Sequence, residues 1–254
     1  MAYRTLEEII EKYKNVITQS RVAVAAANDD HTLGAVKKAM DEGIVKPLLV
    51  GDKEKILEVC AQVGLDVPEE DIYDVKDNGE AAAKAVALIN EGKADFLMKG
   101  KLETSDYLRA VVNKEHGLRK GSTISVFTAH ATDCYHKLLV PVDGGLCTYP
   151  TLEQKKDIIQ NTADALVALG YDCPKVGVVC CKETADPKMP ETMDAAELKA
   201  MNQRGEITNC IVEGPISFDC ATSKEVAEFK GFDSPCAGDC DILLAHDIHA
   251  GNIM

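Results

Sequence analysis

The chain of 254 residues contains 28 Lys and Arg against 42 Asp and Glu, which gives a formal net charge of −14. Its 46% hydrophobic and 28% charged residues are typical of a globular protein and exclude a disordered one. The apolar runs are shorter than the about 20 residues of a membrane helix, and the acidic N-terminus is unlike a signal peptide. We therefore expect a cytoplasmic protein. The acidic balance also argues against nucleic-acid or membrane-surface binding, although a small anionic ligand needs only a local basic pocket.

The first half of the chain alternates between predicted helices and short apolar strands. An amphipathic helix with apolar residues at helical spacing covers residues 6–17. The elements that follow are a strand at 21–27, a helix at 30–42, a strand at 46–51, a helix at 53–63, a strand at 72–75, a helix at 79–90 and a strand at 94–98. Asn28, Asp29 and Asp30 supply candidate caps for the helix at 30–42. This alternation predicts a largely parallel sheet with right-handed crossovers.

The pattern changes after Gly121, where we place a domain boundary. The predicted elements beyond it are neighbouring strands at 122–129 and 137–142, a turn-rich stretch at 143–150, a helix at 152–169, a strand at 175–181, a helix at 191–204, a strand at 209–214, a helix at 221–229 and a strand at 241–245. The sequence therefore predicts the α/β class, with a first domain at 1–121 and a second at 122–254.

The ten cysteines are expected to be reduced thiols, most of them small core residues. Cys236 and Cys240, with His246 and His249 downstream, match none of the common zinc spacings, so we predict no metal site. Phosphate-loop, GxGxxG, HExxH and GxSxG motifs are absent from the sequence. Their absence argues against P-loop NTPases, simple dinucleotide-binding dehydrogenases, zincins and the usual serine hydrolases.

One basic window, residues 99–120, breaks the acidic trend with six basic and three acidic residues. It directly follows the strand at 94–98, where ligands bind in parallel sheets. Thr104 or Ser105 can cap a helix beginning near Asp106, and Gly100 allows the backbone to approach a ligand. The free N–H groups of such a helix start attract an anion. We favour this anion site, and the alternative is a solvated, charged helix face.

The segment 97–119, LMKGKLETSDYLRAVVNKEHGLR, resembles the phosphate acetyl/butyryltransferase family. Its NKEHGLR end is similar to the phosphate butyryltransferase branch of that family. Further matches occur in the family's order at residues 22–27, 47–51, 212–215 and 250–253. The resemblance therefore extends over nearly the whole chain.

The resemblance implies reversible transfer of a short acyl group, with butyryl expected and acetyl as an alternative. Acyl-coenzyme A and inorganic phosphate give acyl phosphate and free coenzyme A. It also implies two α/β/α domains similar to isocitrate dehydrogenase, a homodimer joined through the second domain, and an active site in the interdomain cleft. No metal or redox cofactor is implied, because coenzyme A is a substrate.

Within the resembling segment, Lys99, Lys101 and Arg109 are candidates for the phosphate groups of the substrates. Arg109 is the strongest of the three, because a guanidinium binds oxyanions bidentately. Thr104 and Ser105, with nearby N–H groups, are candidates for inorganic phosphate. The alternatives are that Thr104 and Ser105 are plain caps, that Lys101 is a solvated charge, and that Arg109 forms an ion pair on its helix with Asp106 or Glu115.

Near the end of the chain, Asn252 resembles the asparagine of the family's Ala-Gly-Asn-Ile motif, with an ordinary cap as the alternative. His246 and His249 replace a Pro and an acidic residue of the family pattern. Members of the family continue for some tens of residues with a segment that carries Ser, Arg and Asp, so no catalytic residue is assigned here. The open alternatives are an impaired paralogue that binds coenzyme A or phosphate or only dimerises, and a metal-dependent dehydrogenase of the same fold.

Overall fold

The computed structural model describes residues 2–14, 19–121 and 123–254. The chain forms two compact units, one of Glu11–Lys120 and one of Met1–Ile10 with Gly121–Met254. No helix in the described ranges is long and apolar enough to cross a membrane.

The Glu11–Lys120 unit is built on four parallel strands in the order β3-β2-β1-β4. Its elements, with a first helix that continues from the other unit, are α1 (Leu6–Lys14), β1 (Ser20–Ala25), α2 (Asp30–Asp41), β2 (Val45–Gly51), α3 (Lys53–Val63), β3 (Ile72–Asp74), α4 (Asn78–Asn90), β4 (Phe96–Lys99) and α5 (Thr104–Val111). A short 3-10 turn at Glu69–Asp71 precedes β3. The parallel alternation predicted from the sequence is confirmed.

Both faces of this sheet are covered, as strands rich in apolar residues require. Val22 and Val24 of β1 pack with α2 and α3, whereas Ala23 and Ala25 point to the opposite face and pack with α4. The predicted cap of α2 is also confirmed, since the Asp29 side chain accepts from the Thr32 N–H at 2.9 Å. Because the helices leave the strands at their carboxyl ends, loops and helix starts gather at one edge of the sheet.

The second unit holds another parallel sheet, in the order β5-β8-β6-β7. Its elements are β5 (Val140–Val142), α6 (Leu152–Ala168), β6 (Lys175–Val179), α7 (Pro190–Gln203), β7 (Ile211–Ile216), α8 (Phe218–Thr222), α9 (Lys224–Phe229), β8 (Ile242–Leu244) and α10 (Ile248–Ile253). Ile242 and Leu244 pack in one core cluster and Leu243 in another, so this sheet is also covered on both faces. All ten cysteines are free, and six of them are buried.

The first residues belong to the second unit, although the predicted boundary placed them in the first domain. Tyr3 is 3% exposed and packs in the core of the second sheet. Its carbonyl accepts from the Leu138 N–H at 2.7 Å, and its hydroxyl donates to the Leu169 carbonyl at 2.6 Å. Tyr3 packs there because of contacts with residues far along the chain, and the local sequence pattern does not predict such contacts.

Two further element predictions are wrong. Residues 123–129 form no strand; the segment makes only isolated antiparallel bridges, from Phe127 to Val142 and, just beyond it, from His130 to Leu139. The helix predicted at 221–229 is two helices that meet at Ser223, whose hydroxyl accepts from the Val226 N–H at 3.3 Å and caps the second. Ser122 and residues 15–18, which the predictions also included, lie outside the described residues.

Candidate functional site

The junction between β4 and α5 contains most of the residues singled out in the sequence. α5 begins at Thr104, two residues earlier than predicted, and its N-cap residue is Glu103. Thr104 and Ser105 therefore lie in the first helical turn and are not the cap. Their backbone N–H groups have no hydrogen-bond partner among the described residues. Unpaired N–H groups at a helix start bind anions, because they carry the positive end of the helix dipole.

Gly100 makes a close backbone contact with the end of β1, and its predicted approach to a ligand stays a prediction. Its N–H donates to the Ala25 carbonyl at 2.8 Å, and a Cβ at this position would lie 2.4 Å from the Ala26 carbonyl oxygen. The Lys101 N–H donates to the Ala26 carbonyl at 3.1 Å. Gly100 thus permits β4 to continue tightly against the end of β1, and this contact fixes the loop that carries Lys101.

A cleft of about 760 Å³ opens at the carboxyl ends of all four strands of the first sheet. We call it the basic cleft. It is lined by Asn28, Lys55, Lys76, Asp77, Asn78, Gly79, Lys101, Asp106 and Arg109. Asn28 follows β1, Lys55 lies in the first turn of α3, residues 76–79 connect β3 to α4, and the others follow β4. The carboxyl edge of a parallel sheet is the usual ligand site of such folds.

The lining of the basic cleft includes four cations and two carboxylates, an excess of two positive charges in a strongly acidic chain. Arg109 Nη1 donates to Asp106 Oδ1 at 2.9 Å, so the predicted ion pair on the helix exists. The Arg109 side chain is nevertheless 75% exposed. Lys76 and Lys101 have no ion-pair partner in the part of the chain that the structure describes. Their charges are therefore available to an anion.

Asn28 and Asp52 shape the wall of the basic cleft between β1 and α3. The Asn28 Oδ1 accepts from the Asp52 N–H at 3.0 Å, and Gly51 leaves room for it, since a Cβ there would lie 2.3 Å from that oxygen. Desolvation raises the pKa of Asp52, but hydrogen bonds and charge from Lys55, with the charge of Lys76, outweigh it and lower the pKa. Asp52 is therefore a carboxylate at neutral pH, and it draws Lys55 toward the wall.

Lys101 and Arg109 line the basic cleft, and their binding of phosphate stays a prediction. Lys99, Thr104 and Ser105 lie beside it at the β4–α5 junction, where the Lys99 ammonium donates to the Gly100 carbonyl at 3.4 Å. Sequence reasoning missed Asn28, Lys55 and Lys76. The signal that could have found them is their position: each follows the end of a predicted strand, and parallel strands end at the same edge.

Asn252 belongs to the other unit, in α10. It is not the cap of that helix, because Asp247 accepts from the Ala250 N–H at 2.9 Å and holds that position. Instead the Asn252 amide donates to the Gly144 carbonyl at 3.2 Å, and its side chain lines a smaller cavity next to β5. The ordinary cap that was the alternative for Asn252 is therefore wrong.

The two histidines near Asn252 have different surroundings. His249 Nε2 lies 3.1 Å from the Tyr149 hydroxyl. Both ring nitrogens of His246 are buried and have no hydrogen-bond partner among the residues described. Burial, followed by the positive charge of Lys155, lowers the pKa of His246. His246 is therefore a neutral imidazole at neutral pH.

Among the described residues, one group has the spacing to hold a metal ion, namely Glu183, Asp219 and Cys220 at the carboxyl edge of the second sheet. The ammonium of Lys230 already lies 3.1 Å from Glu183 Oε1 and 3.0 Å from Asp219 Oδ2. The Ser217 hydroxyl and Lys230 together lower the pKa of Asp219 to about 2. A protein cation thus offsets one of the two negative charges of this cluster.

The two parallel sheets define an α/β protein with a positively charged cleft at the carboxyl edge of the first sheet. The family model for phosphate acetyl/butaryl transferase matches residues 4–83 and 75–254, and the chain belongs to this family. The resemblance seen in the sequence is confirmed over the whole matched length.

Relatives and solved structures agree with this assignment. The chain is 41% identical to phosphate butyryltransferase of Clostridium acetobutylicum, over 99% of this chain and 83% of that protein. It is 39% identical to phosphate acetyltransferase of Thermotoga maritima, over 98% of this chain and 84% of that protein. The structure of a branched-chain phosphotransacylase from Enterococcus faecalis V583 matches with a TM-score of 0.74 and 28% identity. The match covers 92% of this chain and 82% of that one. A Streptococcus pyogenes phosphotransacetylase, at 18% identity and a TM-score of 0.77 over 98% and 84%, supports the predicted α/β fold alone.

Proposed function

We propose that the protein is a phosphate acyltransferase that moves a short acyl group between coenzyme A and inorganic phosphate. The observation that carries the proposal is the basic cleft, whose four cations lie at the ligand-binding edge of the sheet in a chain of this family. Both substrates carry phosphate. A butyryl preference is part of the proposal, because the 41% identical relative is a butyryltransferase; acetyl is the alternative, favoured by the 39% identical acetyltransferase.

In the forward reaction a phosphate oxygen attacks the thioester carbonyl carbon, the carbon–sulfur bond breaks, and the departing thiolate takes a proton. The first requirement is to hold the two substrates together, which removes much of the entropic barrier. We assign this positioning to Arg109, Lys101 and the N–H groups of Thr104 and Ser105. All of them are donors to phosphate oxygens at the start of α5.

Lys55 and Lys76 extend the positive lining across the basic cleft to the ends of β2 and β3. One inorganic phosphate does not need four cations, whereas coenzyme A carries several phosphate groups. We therefore assign Lys55 and Lys76 to the phosphates of coenzyme A, and Lys99 and Gly100 to shaping the adjacent loop. No catalytic residue is assigned, because the proposal uses these side chains only as donors to phosphate oxygens.

The test is to mix butyryl-coenzyme A and phosphate with the protein and to follow the release of free thiol. Running the assay with a metal chelator present also tests the proposal that no metal cofactor is needed. Turnover above the protein-free blank supports the function. Its absence with both butyryl- and acetyl-coenzyme A would favour a protein that binds its ligands without turnover.

A matched pair of variants connects turnover with the basic cleft. Arg109→Gln removes a charge-assisted contact worth about 1.5–3 kcal/mol, so we expect kcat/KM to fall roughly 10- to 100-fold. Arg21→Gln is the control, because Arg21 makes an ion pair of the same 2.9 Å length with Asp95 at the opposite edge of the sheet. An equal loss in both variants would contradict the assignment of Arg109 to substrate binding.

We also propose a homodimer in the cytoplasm, as the resemblance implies. The second unit has several exposed large apolar side chains that favour an interface, including Phe218 at 47% and Phe229 at 90% exposure. Sedimentation equilibrium of the purified protein tests the dimer, and a monomer at assay concentrations would contradict it.

A further inference from the structure

A second cavity, of about 270 Å³, lies entirely within the second unit beside the end of β5. We call it the β5 slot. It is lined by Val126, Phe127, Thr128, His130, Pro141, Gly144, Gly145, Gly251, Asn252 and Met254. It shares no residue with the basic cleft, and of its lining residues Asn252 alone is a site residue predicted from the sequence.

One wall of the β5 slot is apolar and open to an incoming group. Val126 is 40% and Phe127 is 37% exposed, although both are large apolar side chains. Pro141 of β5 and Met254 add to the apolar lining. Exposed apolar side chains that line a concave surface, with polar groups beside them, are typical of a ligand-binding groove.

The polar end of the β5 slot consists of an amide and a hydroxyl–imidazole pair. The Asn252 amide donates one N–H to the Gly144 carbonyl, at 3.2 Å, and its second N–H can donate to a ligand. Thr128 Oγ1 lies 2.8 Å from His130 Nε2. A ligand that fits this arrangement has an aliphatic part and a carbonyl oxygen, and an acyl thioester has both.

The β5 slot is rigidly framed. A Cβ on Gly144 would lie 2.6 Å from the Gly251 carbonyl oxygen, so the loop after β5 packs backbone to backbone against α10. The buried Asp143 holds the same loop, because its Oδ1 accepts from the Gly145 N–H at 3.0 Å. Its Oδ2 accepts from the Val126 N–H at 3.3 Å, which fixes the apolar wall. A preformed site binds a flexible chain at a lower entropic cost.

The volume of the β5 slot suits a short chain. A water molecule occupies roughly 30 Å³ in the liquid, so 270 Å³ corresponds to about nine waters. Pockets for drug-sized ligands start at about 300 Å³. The volume of the β5 slot therefore matches a fragment of a few carbons.

We propose that the β5 slot binds the aliphatic chain of the acyl group, with Val126 and Phe127 setting its length and Asn252 donating to the acyl carbonyl. The proposal rests on the proposed function and deepens it. It locates the choice between acetyl and butyryl in side chains of this unit.

The first experiment narrows the β5 slot. Val126→Phe fills the apolar wall, and Val167→Phe makes the same change at a surface position of α6 with 36% exposure. A single methylene in an apolar pocket is worth about tenfold or more in kcat/KM. We expect Val126→Phe to lower the butyryl-to-acetyl ratio of kcat/KM by at least about tenfold, and Val167→Phe to leave it unchanged. An unchanged ratio in both variants overturns the proposal.

The second experiment widens the β5 slot. Phe127→Ala removes a ring from the apolar wall, and the control Phe96→Ala removes a ring that is 43% exposed in β4, outside both cavities. We expect the hexanoyl-to-butyryl ratio of kcat/KM to rise at least about fivefold in Phe127→Ala and to stay unchanged in the control. A change of oligomeric state with no change of chain preference would show that Phe127 contacts a second copy, and it would overturn the proposal.

Calorimetric binding separates this inference from the proposed function. The dissociation constants of acetyl- and butyryl-coenzyme A are measured for the unchanged protein, Val126→Phe and Val167→Phe. If butyryl-coenzyme A loses affinity in Val126→Phe alone while no variant turns over, the β5 slot stands and the acyltransferase function fails. If turnover is present and neither affinity nor rate depends on Val126, the function stands and the β5 slot fails.

Discussion

In the absence of substrate, the Arg109 guanidinium forms an ion pair with Asp106, a carboxylate of the same cleft. Its ion pair with Asp106 spans one turn of α5, and both groups line the basic cleft. Such an exposed pair is worth only about 0.2–1 kcal/mol. In the proposed function, substrate phosphate would therefore displace Asp106 at little cost.

Asp106→Asn is expected to strengthen phosphate binding, because it frees Arg109 and removes one negative charge from the basic cleft. The gain is limited by the small energy of the pair, so we expect KM for phosphate to fall about two- to fivefold. Initial rates at varied phosphate concentration measure it. Glu115→Gln is the control on the same segment, outside the cleft lining. A higher KM in Asp106→Asn would show that the carboxylate positions Arg109 productively.

His246 makes the stability of the second unit depend on pH. Its pKa is lowered in the folded state by burial and by Lys155, while Glu191, the Val179 carbonyl and Asp194 oppose the shift. In the unfolded chain the pKa is about 6.5, so below that pH the unfolded state binds the extra proton. Acidification therefore destabilises the fold, and the contribution of neutral His246 is complete only above about pH 6.5.

We expect the unfolding free energy to drop between about pH 7.5 and pH 5.5, with a slope from this group of at most about 1.4 kcal/mol per pH unit. In His246→Gln the slope is expected to be shallower. Urea denaturation at several pH values measures it, and His31→Gln, at an exposed position of α2, is the control. Identical slopes in His246→Gln and the unchanged protein would refute the role of His246.

At the scale of elements, the contact between β4 and β1 decides the shape of the basic cleft. Gly100 and Ala26 touch backbone to backbone, and neither side can move away as a flexible side chain would. The hydrogen bond from the Lys101 N–H to the Ala26 carbonyl then fixes the point at which the Lys101 side chain enters the cleft. The position of Lys101, a proposed phosphate ligand, thus depends on the close contact that Gly100 makes.

Gly100→Ala is expected to destabilise the protein by about 1–3 kcal/mol, because the added Cβ would overlap the Ala25 and Ala26 carbonyls. Gly34→Ala is the matched control: it lies in α2, and an added Cβ there has no atom within 4 Å. This control is expected to stabilise by about 0.5–1 kcal/mol through helix propensity. Urea denaturation of both variants compares them, and a neutral Gly100→Ala would contradict the close contact.

The elements that sequence predicts well are those with a local cause. The apolar run of β1 and the Asp29 cap of α2 are visible in a few consecutive residues. The segment 123–129 has apolar residues typical of a strand, yet it lacks a neighbour along its length and makes isolated bridges. The docking of Tyr3 depends on Leu138 and Leu169, far along the chain, and no local pattern contains it.

The same limit applies to the candidate site. Lys101 and Arg109 were predicted because they directly follow the last strand of the first sheet in one basic window. Lys55 and Lys76 lie in different loops, and only the strand order β3-β2-β1-β4 brings their loops to one edge. Sequence order alone does not give that strand order, so half of the cations in the basic cleft were missed.

At the scale of the whole molecule, the basic cleft is a small positive region on a chain with a net charge of −14. The surrounding negative charge opposes the approach of coenzyme A and phosphate, which are both anions. The cations therefore act at short range, where the cleft walls exclude part of the solvent. Added salt weakens interactions of both signs.

We expect the affinity for coenzyme A to depend on salt through the cleft cations. Raising NaCl from about 0.05 M to about 0.5 M is expected to increase its KM several-fold, with little change in kcat. Lys76→Gln is expected to reduce this dependence, and Lys46→Gln, an exposed lysine outside the cleft lining, to leave it intact. A KM for coenzyme A that is independent of salt would argue against binding of its phosphates by these side chains.

Tyr3 also makes the folding of the second unit depend on residues that are synthesised much later. Its hydroxyl partner, the Leu169 carbonyl, comes 166 residues later, and translation at about 5–20 residues per second delivers it some 8–33 s afterwards. Until Leu138 and the later core residues have been synthesised, the nascent chain carries an aromatic ring without these packing partners. The strands and helices of Glu11–Lys120 are synthesised before Leu138 and Leu169, the residues to which Tyr3 hydrogen-bonds.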